Sequence, residues 1–265
     1  LNLTLLKAEL QKVWSRPIFE LTLGLVFLIS LNSTSTLFEI ATQSDLQSKF
    51  STLVAESFVN IMSFQMLPLV LFCGLIVSLS FARDYEQGQM QTLLSLPVSR
   101  ASLFAVKFAA VVIPLALVSW GVTVFVVLLN FSTAANNLVV IQSAAWALPI
   151  TFLAVMFYAG LAVVISLALK RTIPSVLTTL ITGFFVSFVT TLRVEVIGDI
   201  ANYLVFTPYK APTVALGRVL GMRYPEAGYE NALPAWGFLV LIVFYALLLL
   251  VPAYLYFTRK FEVKE

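Results

Sequence analysis

Apolar residues in this chain come in long, unbroken runs separated by short polar stretches, a pattern that predicts helices crossing a membrane. Six runs stand out, at about 17–36, 57–82, 102–130, 141–169, 175–192 and 235–257. None alternates with a period of two, so helices are expected rather than a barrel. Ahead of the first run, residues 1–16 place Leu3, Leu6, Leu10 and Val13 or Trp14 on one helical face. Lys7, Glu9, Gln11 and Lys12 face away, so this segment is expected to lie on the membrane surface as an interfacial or elbow helix. Between the runs lie polar loops at 37–56 and 131–140, a tight basic loop at Lys170–Pro174, and the long stretch 193–233. Proline and glycine punctuate 193–233 (Pro208, Pro212, Gly217, Gly221, Pro225), which predicts short helical pieces there. The expected fold is an all-α integral membrane protein with one transmembrane domain over 1–265.

The densest polar island runs from Arg83 to Arg100, between the second and third runs. It is too polar for hydrocarbon, yet Met90, Leu93, Leu94 and Pro97 fall at i, i+3, i+4 and i+7, the spacing of one helical stripe. Gly88 would relax the backbone at the entry of that helix, and Pro97 would stop it. Ser99 suits the cap of the next helix. The stripe has no evident packing partner in so small a protein, so it is expected to be covered by something else.

Composition supports the membrane reading: 60% of the 265 residues are hydrophobic and only 11% are charged, against about 25% charged in soluble domains. There is no histidine, which removes histidine-based acid–base work and metal ligation. Cys73 is the single cysteine and lies inside an apolar run. The first apolar run begins after Pro17 and is too long for a cleavable signal peptide. Of the 16 Lys and Arg residues, Lys7, Lys12, Arg16, Arg83, Arg100, Lys107, Lys170, Arg171, Arg259, Lys260 and Lys264 fall on one side of the six-span scheme. Lys49, Arg193, Lys210, Arg218 and Arg223 fall on the other. The positive-inside rule then puts both termini and the island in the cytoplasm and 193–233 outside, with Lys107 snorkelling toward Arg100.

The chain has no Gly-rich phosphate loop ending in Gly-Lys-Ser or Gly-Lys-Thr, and no internal repeat is visible. Ionisable residues are nearly absent from the runs, which disfavours ion-coupled carriage and lipid-modifying chemistry. Polar groups at mid-span, Gln65 among them, serve helix packing or line a path.

The island carries a resemblance. Arg83-Asp84-Tyr85-Glu86-Gln87-Gly88, followed by Leu93-Leu94-Ser95-Leu96-Pro97-Val98-Ser99-Arg100, resembles the signature of ABC transporter permeases of the ABC type 2 exporter class. Gln89 and Gln91 depart from it, where threonine and glutamate are common. The resemblance implies a permease subunit that pairs with itself or a close relative and with two cytosolic ATPase subunits. The chain itself would be no enzyme and would carry no cofactor or metal; ATP and Mg would sit in the partner. The island would be a coupling helix between spans 2 and 3, with Met90, Leu93 and Leu94 as an apolar plug, framed by Gly88 and Pro97, and Asp84, Glu86 and Arg100 as rim charges. A translocation path at a dimer seam would draw on Phe64, Gln65, Phe72, Phe184, Phe185 and Phe188, for each of which lipid contact or core packing is the more ordinary role. The expected location is the plasma membrane. A membrane scaffold that recruits a cytosolic partner without moving a solute remains the alternative.

Overall fold

The computed structural model describes residues 3–14, 16–41, 46–95, 97–131, 137–191, 203–222 and 233–260. Among them there are ten α-helices and no strand. In chain order they are α1 (Leu3–Val13), α2 (Arg16–Ala41), α3 (Leu46–Ser80), α4 (Ala82–Glu86), α5 (Gln89–Ser95), α6 (Arg100–Phe131), α7 (Asn137–Leu169), α8 (Thr172–Thr191), α9 (Ala211–Val219) and α10 (Ala235–Leu255). Wider turns at Tyr256–Lys260 extend the last helix.

Four stretches are long and apolar enough to cross a membrane alone: Phe50–Glu86, Arg100–Asn130, Leu138–Leu169 and Ala235–Arg259. The last four residues of the first, Arg83–Glu86, are polar and lie beyond its apolar run. The first expected span falls on α2, whose stretch Pro17–Ser33 is bent by 72° from α1. The fifth falls on α8, whose apolar part, Thr172–Val186, is shorter. Pro68, Pro114 and Pro149 sit inside unbroken helices, as neighbouring helices allow in hydrocarbon.

One expected loop is replaced by helix, and one polar stretch carries the short helix expected of it. The polar loop at 37–56 gives way to the end of α2 and the start of α3. No Pro or Gly interrupts 46–60, and Val54, Ala55 and Phe58 are buried, so the helix continues past its apolar run. Within 193–233 the expected helical piece is α9, which packs on α3, α7 and α10 and buries Ala211 through Gly217. The Tyr245 hydroxyl donates to the Phe206 carbonyl at 2.6 Å, tying the approach to α9 onto α10.

Helix α3 is the hub, packing on α2, α6, α7, α8 and α9. Within its apolar window 72% of residues are buried, against 22% for α10, whose exposed Trp236, Val240, Phe244 and Leu248 suit contact with lipid. Gly183 brings α8 close to α3: a Cβ there would overlap the Val70 side chain. One turn along each helix, a Cβ on Gly74 would stand 3.0 Å from Thr179 Cβ, so the same close crossing recurs.

Candidate functional site

The island folds as two short helices around a glycine. Helix α4 ends at Glu86, and Gly88 takes φ +72°, a left-handed conformation that a residue with a Cβ adopts only under strain. Helix α5 follows, and the Ser99 hydroxyl accepts the Ser102 backbone N–H at 3.2 Å, capping α6 as its sequence predicts. Pro97 and Arg100 are exposed.

The apolar stripe of α5 turns inward. Met90 is fully buried in the core, and Leu93 and Leu94 pack against it from partly buried positions. The expected plug therefore does not stand free: an amphipathic helix hung between two apolar helices buries its stripe on its own chain. What the island exposes is polar, with Gln87, Gln89, Gln91, Thr92 and Ser95 facing out.

Three consecutive side chains fasten α4 to three other parts of the fold. Asp84 is fully buried, so it is not a rim charge. Its carboxylate pairs with Lys12 of α1 and with Lys107 of α6. Next, Tyr85 meets the α7–α8 turn: Lys170 Nζ lies 4.6 Å from its ring centroid and donates to its hydroxyl at 3.3 Å. Glu86 is exposed but engaged. It accepts the Thr172 backbone N–H at 3.0 Å and the Thr172 hydroxyl at 2.8 Å, placing a carboxylate at the N-terminus of α8. Those two hydrogen bonds hold the Glu86 carboxyl below the usual carboxylate range.

Beneath α4 lies a buried charge cluster that the sequence reading did not assemble. Lys107 is fully buried and does not snorkel outward. Its ammonium donates to Glu9 Oε1 at 3.0 Å, to the Ser80 carbonyl at 2.8 Å and to Asp84 Oδ2. Glu9, expected on the outer face of α1, is 4% exposed. The face of α1 toward the bundle thus carries Glu9 and Val13, while Leu3 is exposed. The Trp14 indole N–H donates to the Ala110 carbonyl at 2.8 Å and pins the end of α1 to α6. Lys107 was findable in principle, because a charge beside a long apolar run requires a partner, whereas Glu9 sits among the polar positions of α1 and gives no such signal.

The expected path residues divide. Phe72 is core. Gln65 is also buried, and its amide donates to Ser30 Oγ at 2.7 Å and Thr123 Oγ1 at 3.0 Å, while its carbonyl accepts from Ser119 Oγ at 2.6 Å. It knots α2, α3 and α6 together and lines no surface. Phe64, Phe184 and Phe185 are exposed, and the Phe188 side chain lies outside the described residues. Phe184 and Phe185 border an apolar groove of about 550 Å³ with Leu25 and Ile29 of α2 and Leu67 and Pro68 of α3. Among the described residues no group of three or more His, Cys, Asp or Glu side chains could hold a metal ion.

Long apolar helices with an exposed polar island anchored among them define a multi-pass membrane protein. The family described as "ABC-2 family transporter protein" matches over residues 5–186, well over half of the chain and including the whole island. The chain belongs to that family, whose members are membrane permease components of ABC transporters. Comparison with individually curated proteins gives no match.

Proposed function

We propose that the chain is the permease subunit of an ATP-driven ABC exporter, working as a dimer with two cytosolic ATPase subunits that bind ATP and Mg. The observation that carries this reading is the island: an exposed polar face built on a turn tied to α1, α6 and α8. A push on such an element reaches several membrane helices at once. The partner contact is assigned to Gln87, Gln89, Gln91 and Thr92, with Arg100 beside them, rather than to the inward Met90. In this reading α2, α3, α6, α7, α8 and α10 are the six spans, and both termini and the island lie in the cytoplasm at the plasma membrane.

The dimer seam and translocation path belong at the face of α3 and α8 that exposes Phe64, Phe184 and Phe185 beside the apolar groove. An apolar or amphipathic cargo fits that lining. Co-expression with a candidate ATPase subunit tests the reading. The pair should co-purify and hydrolyse ATP in liposomes. Gln89→Arg with Thr92→Arg, both at exposed positions of α5, should lower assembly at least about tenfold without loss of membrane insertion, a change of about 1.4 kcal/mol. Wild-type assembly in that variant would remove the island from the contact.

A further inference from the structure

We propose that Glu9, Lys12, Asp84 and Lys107 form a charge-matched latch that makes α1 and the first turn of the island one moving part. The inference deepens the permease reading, since it names what moves when the island is pushed.

Two positive and two negative charges meet here, and Asp84 and Lys107 are completely removed from solvent. The set spans three elements: Glu9 and Lys12 come from α1, Asp84 from α4 and Lys107 from α6. An ammonium has three N–H donors, and Lys107 has three acceptors, one on α1, one at the end of α3 and one on α4. The Ser80 hydroxyl adds a 3.5 Å contact to the other oxygen of Glu9. The cluster is thus neutral and satisfied only while α1 stays seated.

Burying Glu9, Asp84 and Lys107 is not needed to join α3 to α6, which pack on each other and both contribute side chains to the apolar core. The cost of their desolvation is offset only by close, fully paired geometry. A small shift of α1 would leave Asp84 short of Lys12, and Lys107 short of Glu9. Buried charges therefore make the contact two-state: α1 is either seated or released, with little stability between. An apolar contact would permit sliding. The latch sets α1 to follow α4 when α4 is displaced.

The test uses the full chain in nanodiscs, with spin labels at Lys7→Cys on α1 and Arg83→Cys on α4, both exposed positions outside the assigned ATPase contact. Buried Cys73 is replaced by Ala. The otherwise wild-type chain should give one narrow distance distribution. Glu9→Ala with Lys12→Ala removes one charge of each sign and leaves Asp84 paired with Lys107, so the fold is kept. Its distribution should widen at least about twofold, by the loss of both α1 partners. A wild-type width in this variant overturns the latch, because apolar contacts such as those of Leu5, Val13 and Trp14 would then suffice to hold α1.

If the double variant does not accumulate, Asp84→Asn with Lys107→Met carries the same expectation from the other half of the cluster. With the ATPase subunit bound, the α1–island distance should be unchanged between nucleotide-free and ATP-bound states, and a change there also overturns the latch. A chain that binds no ATPase but shows the narrow distance, lost in the variant, upholds the latch and sinks the permease reading.

Discussion

Placing alanine at Gly183 tests the close crossing of α3 and α8, which shapes one wall of the apolar groove. A Cβ at position 183 would stand 3.0 Å from Val70 Cβ and would overlap Val70 Cγ1 outright. Carbon–carbon contacts settle at about 3.5–4.0 Å, so the Cβ contact alone requires the helices to part by about 0.5–1 Å. Val70 is buried and β-branched on a helix, which leaves it little freedom to rotate away. Overpacking of this kind costs about 1–3 kcal/mol. Alanine also favours helix by about 0.5–1 kcal/mol over glycine, which masks part of that cost.

Gly24 provides the control, because a Cβ there meets nothing within 4 Å. Gly183→Ala and Gly24→Ala share the helix gain, so their difference isolates the clash at about 1–3 kcal/mol. Thermal unfolding in detergent, or steric trapping in bicelles, measures that difference. Val70→Ala removes the overlapping Cγ1 and should recover part of the loss in the Gly183→Ala background. Equal stability of the two glycine variants, within about 0.5 kcal/mol, would refute the crossing.

Gln65→Met keeps the volume at position 65 and removes hydrogen bonds to three hydroxyl-bearing partners. At about 0.6 kcal/mol each in a membrane interior, unfolding should show a loss of about 2 kcal/mol; wild-type stability with an altered cargo preference would instead return Gln65 to the path. On α5, Met90→Ala should destabilise by about 2–5 kcal/mol and Gln91→Ala by less than about 0.5 kcal/mol. Matching melting shifts for that pair would contradict the inward stripe.

The four helices long and apolar enough to cross a membrane alone were legible because their signal is local: unbroken apolar length needs no knowledge of what packs where. So were the cap at Ser99, set by a neighbour three residues away, and the glycine break at the entry to α5. The start of α3 was not, since Leu46–Ser57 is polar enough to look like a loop and only burial of Val54 and Ala55 reveals the helix. The Met90 stripe was visible, but periodicity shows that a face is covered and not by what. For Gln65, composition allowed both packing and path lining, and the three hydroxyls that decide it come from 35 to 58 residues away.

The charge cluster was missed for a related reason. Sequence patterns treat a charge on an amphipathic helix as outward-facing, which is the lower-energy choice for a helix taken alone. Glu9 and Lys107 are 98 residues apart, so neither shows its partner to a local reading. Their burial changes the mechanics of the island. Asp84, Tyr85 and Glu86 fix α4 to α1 and α6, to the α7–α8 turn and to the start of α8, respectively. Past them, Gly88 is exposed, with nothing within 4 Å of where a Cβ would stand. Strain applied to the polar face of α5 therefore meets a compliant joint at Gly88 and a stiff block at α4. Small tilts of α5 are absorbed at the joint, while a larger displacement must carry α1, α6 and α8 together.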